Sequence, residues 1–248
     1  MKEKIYTIPI NDAFDQNTEC PVCEFLRKEE ENRIEYTLGA SMMEPDARTE
    51  TNEKGFCNRH SQMLYDFGNR LSCALVLETR LDYIEKELGK ISAGLIIHAL
   101  KKIAIGRSKL KEAVSDGCNA FSKSIESCTV CERLDKIKND FTYNLFYLYK
   151  TDGEFRKKFF ASNGFCVHHF KFLLEKSVQY LSDIQLNEFA EKLISLETAN
   201  VARVKEDVNW FTKKFDYRYK DEDWKNSRDA VKRGCEKTAM YIKSESEE

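Results

Sequence analysis

Six of the nine cysteines and two of the four histidines fall into one pattern that occurs twice. The first copy is Cys20-Pro-Val-Cys23, followed by Gly55-Phe-Cys57-Asn-Arg-His60. The second is Cys128-Thr-Val-Cys131, followed by Gly164-Phe-Cys166-Val-His-His169. Each front reads CxVCE and each back GFCxxH, with 33 residues between Cys23 and Cys57 and 34 between Cys131 and Cys166. Zinc favours four tetrahedral ligands drawn from thiolate and imidazole, and Cys3His is a common structural set. A CxxC puts two sulfurs close enough to share an ion, and a CxxH with the same gap supplies a third sulfur and a ring nitrogen. The spacing therefore predicts two Zn2+ per chain. One is expected on Cys20, Cys23, Cys57 and His60, the other on Cys128, Cys131, Cys166 and His169. His169 is preferred to His168 because it matches His60 in register.

The elements that must position these ligands read as nearly all helix. Helices are expected from Glu24 to about Leu38, over Leu71 to Leu88 and from Glu132 to Lys150, each CxxC sitting at a helix start where backbone N–H groups favour thiolates. Gly55 and Gly164 end irregular segments just before a new helix, where a conformation closed to other residues is expected, and Phe56 and Phe165 would shield one side of each site. Beyond Ser182, apolar residues from Leu186 to Phe215 recur at threes and fours, predicting a long helix that packs across both units or against a partner. A last helix is expected over Ser227 to Ile242. No run alternates as a sheet strand would.

The two copies are offset by 108 residues at the front pair and 109 at the back pair, which points to duplication of a domain-sized unit. The expected division is an N-terminal unit over 1–90, a connecting helical region over 91–120 and a C-terminal unit over 121–248. Each unit is expected to hold its own copy's site.

Bulk properties narrow the function. With 40 basic and 42 acidic residues the net charge is −2, which gives no global attraction to nucleic acid or to an anionic membrane. The start lacks the apolar stretch of a secretory signal, and the apolar run Ala93 to Leu100 is too short to span a bilayer. A cytoplasmic protein is expected, with its cysteines reduced as ligands or buried thiols. Cys73 reads as core and Cys118 and Cys235 as unremarkable thiols. His98 reads as a core histidine, and Ser244 to Glu248 as an acidic tail.

The doubled motif, with Glu44-Pro-Asp46 and Thr51-Asn-Glu-Lys54 ahead of the first GFC, resembles a family of bacterial proteins of about this length catalogued only as a domain of unknown function. The likeness runs from Cys20 to the final helices. It implies a shared fold and shared metal sites, and it implies no activity.

The leading functional expectation is a non-enzymatic, zinc-stabilised protein that binds another protein, because four protein ligands leave no open position for substrate. Trp210, Phe211, Phe215, Tyr217, Tyr219 and Trp224 offer aromatic surface, although covering the core is the plainer use for them. One alternative is a zinc-linked thiol redox switch, or an iron–sulfur protein built on the same ligands. Another is nucleic-acid binding through the basic run Lys101, Lys102, Arg107, Lys109 and Lys111, whose interleaved Ile and Leu read instead as a solvated helix face. No GxSxG, HExxH or Walker loop is present, so no catalytic residue is assigned.

Overall fold

Proline occurs only at positions 9, 21 and 45, each where a helix begins or in its first turn, so no proline interrupts a helix interior. The computed structural model describes residues 7–100 and 107–239, and among these it is all-helical, with no strand. The α-helices are α1 (Thr7–Asp15), α2 (Pro21–Leu38), α3 (Pro45–Lys54), α4 (Asn58–Asp66), α5 (Arg70–Leu100), α6 (Arg107–Ile125), α7 (Thr129–Thr151), α8 (Gly153–Ala161), α9 (Val167–Tyr180), α10 (Asp183–Lys213) and α11 (Ala230–Ala239). Short 3-10 turns cover Ala40–Met43 and Tyr217–Tyr219.

Local chemistry sets several of these ends. The Asp152 carboxylate accepts from the Glu154 and Phe155 N–H groups and starts α8. Ser182 and Gln185 form a reciprocal capping box at the head of α10, the long C-terminal helix of 31 residues. The His98 side chain, most of the basic run from Lys101 to Lys111, the end of the last expected helix and the acidic tail lie outside the described residues.

The chain divides into two compact units, and the division differs from the expected 1–90, 91–120 and 121–248. One unit is Met1–Lys28 with Ile137–Glu248; the other is Glu29–Lys136. The residues expected to be a connector fall inside the second unit, where α5 packs along α6 and α3 against both. The reason lies in the two helices that follow the CxxC pairs. Val22 and Phe25, at the start of α2, are buried in the first unit's core, while Ile34 and Leu38, at its end, are buried in the second's. Helix α7 does the converse: Cys128 and Val130 belong to the second core, and Ile137, Phe141, Leu145 and Phe146 to the first.

The first unit's core is aromatic. Phe14 lies against Phe155, Phe159 and Phe165, and Phe189 against Phe146, Tyr149 and Phe159. Helix α10 packs here on α8, α9 and α11. In the second unit Cys73 is buried beside Leu64 and Val76, a core position, whereas Cys118 is exposed and Cys235 half-buried.

Candidate metal centres

Each unit contains one Cys3His cluster, but the sets are exchanged relative to the expectation from spacing. Cys20 and Cys23 meet Cys166 and His169, while Cys57 and His60 meet Cys128 and Cys131. The front pair of each copy thus joins the back pair of the other. Helix length explains why a back pair does not return to its own front. Helix α2 carries the chain about 22 Å beyond Cys23 and α3 spans only about 15 Å; α7 runs about 30 Å beyond Cys131 and α8 spans about 14 Å. Cys57 therefore arrives in the core that contains the far end of α2 and the start of α7, where the other CxxC is waiting.

In the first cluster the His169 Nδ1 lies 3.4 Å from Cys20 Sγ, 3.3 Å from Cys23 Sγ and 3.3 Å from Cys166 Sγ, with Cys23 and Cys166 sulfurs 3.7 Å apart. In the second the His60 Nδ1 lies 3.2 Å from Cys57 Sγ, 3.2 Å from Cys128 Sγ and 3.4 Å from Cys131 Sγ, with Cys57 and Cys131 sulfurs 3.8 Å apart. A ring nitrogen carries at most one hydrogen, so it cannot serve three sulfurs as a donor. A cation at the centre satisfies all four atoms together. Ligands at about 2.3 Å (sulfur) and 2.0 to 2.1 Å (nitrogen) from a tetrahedral ion are separated by about 3.8 Å for S···S and about 3.6 Å for N···S. The S···S separations match, and the N···S ones are a few tenths of an ångström short. Both sets could hold a metal ion.

The charges also ask for one. Burial and hydrogen bonds from Cys166 and Cys23 push the Cys20 thiol well up, while its contacts with Cys20 and Cys23, against burial, hold Cys166 well down. In the second set burial, Cys128 and Cys57 push Cys131 up to about 12. Burial also raises Cys128, but His60 and the backbone N–H groups of Cys131 and Cys57 outweigh it and bring it down to about 6. Three crowded sulfurs cannot all ionise on their own; a divalent cation removes that conflict.

The surroundings of the two sites differ. The His60 Nε2 donates to Glu30 Oε1 at 2.9 Å, and the Arg59 guanidinium grips the same carboxylate through Nε at 2.8 Å and Nη2 at 2.6 Å. That carboxylate fixes the ring with Nδ1 toward the sulfurs. Burial disfavours the Glu30 carboxylate, yet His60 and Arg59 bring it down to about 2; burial likewise disfavours the charged His60 ring, yet Cys128 and Glu30 bring it up to about 10. In the other site the buried His169 Nε2 has no hydrogen-bond partner among the described residues. His168 is exposed.

Each GFC segment is held by its own unit. Gly55 (φ 66°) and Gly164 (φ 77°) adopt the left-handed conformation, and a Cβ would stand 2.9 Å from the Arg80 guanidinium at the first and 2.7 Å from Glu197 Oε2 at the second. The Thr129 N–H donates to the Gly55 carbonyl at 3.1 Å and the Ser127 hydroxyl to that of Lys54 at 2.9 Å, tying the second CxxC to the first GFC. In the first unit the buried Lys237 ammonium donates to the carbonyls of Glu19 (3.0 Å), Phe165 (3.2 Å) and Asn163. Glu197 accepts from the Phe165 N–H at 2.8 Å, and Glu19 pairs with Arg203 at 2.7 Å. Lys237 thus grips the residues just ahead of Cys20 and Cys166. Sequence reasoning did not single out Glu30, Glu197 or Lys237. A signal existed for two of them: Glu30 falls four residues before Ile34 and eight before Leu38, and Glu197 four after Leu193, each on a buried helical stripe.

A family of unknown function, DUF6062, matches residues 1–245. The chain belongs to that family. No curated protein and no solved structure matches it. Among the described residues no helix is long and apolar enough to cross a membrane.

Proposed function

We propose that this member of DUF6062 is a cytoplasmic, zinc-stabilised helical protein without enzymatic activity of its own, which binds another protein. The observation that carries the metal half is the convergence of one histidine Nδ1 on three cysteine sulfurs at 3.2 to 3.4 Å in both units. Thiolate-rich sets of three sulfurs and one imidazole nitrogen suit zinc, and four protein ligands close the coordination sphere, as structural sites do. The ion in each unit ties a CxxC to a GFC segment distant in the chain, so folding and metal binding are coupled.

The interaction half rests on the end of α10. Phe215 is 75 % and Tyr217 85 % exposed, so these two rings do not cover the core. The turn that carries them is ordered: the buried Lys214 ammonium donates to the carbonyls of Tyr219 at 2.7 Å, Lys220 at 2.8 Å and Glu222. Rigid, exposed aromatics are what protein interfaces use as anchors.

Elemental analysis and an absorption spectrum of protein purified without added metal test the reading. Two zincs per chain in a colourless solution support it; iron with visible absorption moves the sites to redox chemistry; no metal ends it. The interaction half fails if a Phe215→Ser/Tyr217→Ser double variant retains every binding partner of the wild type at unchanged affinity.

A further inference from the structure

We infer that Cys131 and Cys57 form a peroxide-oxidisable pair at the second metal centre, while the first centre is closed to the same oxidants. The inference rests on the metal reading above. Cys20, Cys23, Cys166 and His169 are 4, 8, 0 and 1 % exposed; Cys20 and Cys23 edge a surface cavity, but all four residues are buried. In the second centre only Cys128 and His60 are buried; Cys57 is half-buried and Cys131 exposed. Both solvent-facing ligands are sulfurs, and their Sγ atoms stand 3.8 Å apart. Forming a disulfide of about 2.05 Å would require them to close by roughly 1.8 Å. The motion falls in the first turn of α7, which carries Cys131, and at the N-cap of α4, which is Cys57.

The oxidant is a hydroperoxide. The Cys131 thiolate attacks one peroxide oxygen: an S–O bond forms, the O–O bond breaks and hydroxide leaves. The Cys57 thiolate then attacks the Cys131 sulfur: the S–S bond forms, the S–O bond breaks and a second hydroxide leaves. Two thiolates have lost two electrons, hydrogen peroxide has gained two, and solvent protons neutralise the hydroxides. Cys128 and His60 remain, two ligands where four are needed, so the second centre gives up its ion.

The test uses the full chain as purified. Metal content is measured first, then hydrogen peroxide is added in the presence of a chromophoric zinc chelator, and disulfides are mapped by mass spectrometry. The expected result is loss of one of two equivalents, a Cys57–Cys131 disulfide, and recovery of the lost equivalent after dithiothreitol and fresh zinc. Fewer than two equivalents at the outset overturns the metal reading itself. With two present, the inference alone is overturned if both ions leave together, if neither leaves, or if the disulfide maps to Cys20–Cys23 or Cys128–Cys131.

Discussion

Replacing Lys237 by methionine keeps an unbranched side chain one heavy atom shorter and removes the charge. The ammonium donates to three backbone carbonyls and lies 3.5 Å from Glu19 and 3.7 Å from Glu197, with Lys237 and both carboxylates buried. Removing one partner of a buried ionic cluster costs about 3 to 5 kcal/mol. Two features place this case at the low end. Glu19 keeps Arg203 at 2.7 Å, and burial already pushes the Glu197 carboxyl up, so it can take a proton when its cation is gone. The working figure is about 3 kcal/mol, and for a chain of this size that lowers Tm by about 6 to 12 °C. The loss should also be local. Because Lys237 holds the carbonyls ahead of Cys20 and Cys166, Lys237→Met should release one equivalent of metal to a competing chelator faster than wild type and leave the other unchanged. Calorimetry of the metal-loaded protein and a chelator time course read both effects. A Tm within about 2 °C of wild type, with both ions released at the wild-type rate, would refute the clamp.

Three further outcomes follow from the same geometry. Glu30→Gln removes the carboxylate that orients His60 and should weaken metal binding at one site by about 10- to 100-fold, read by chelator competition; equal affinities at both sites would count against it. Gly164→Ala puts a Cβ 2.7 Å from Glu197 at a φ of 77° and should destabilise by more than about 1 kcal/mol in denaturant unfolding, whereas Gly153→Ala, with open space around it, should be near neutral. Burial pushes the Glu236 carboxyl up, with Lys232 opposing and Glu19 and Asp229 adding to the rise. A carboxyl raised in the folded state favours the fold while protonated, and that contribution is lost as pH rises through the folded pKa. Glu236→Gln should therefore match wild type below pH 4.5 and be the more stable protein at neutral pH. Urea midpoints at the two pH values check it, and a variant less stable at neutral pH would contradict the sign.

The sequence by itself determined the helical class, the long C-terminal helix, the family, and the eight residues that the structure gathers into two clusters. Those features are local: a period of threes and fours, an absence of interior proline, and ligand pairs two residues apart each reveal themselves within a short window. What the sequence could not decide was partnership. Two CxxC pairs and two CxxH pairs of equal spacing can be matched either way, and spacing is blind to direction. Only the tertiary structure decides, because α2 and α7 each begin in one core and end in the other. The same crossing moved the unit boundaries to Lys28 and Lys136. It also sets which sulfurs meet solvent: one ligand set is wholly buried, and the other leaves Cys131 at the surface. Burial is a property of what packs around a residue, and two identical motifs acquired different environments because different helices closed over them.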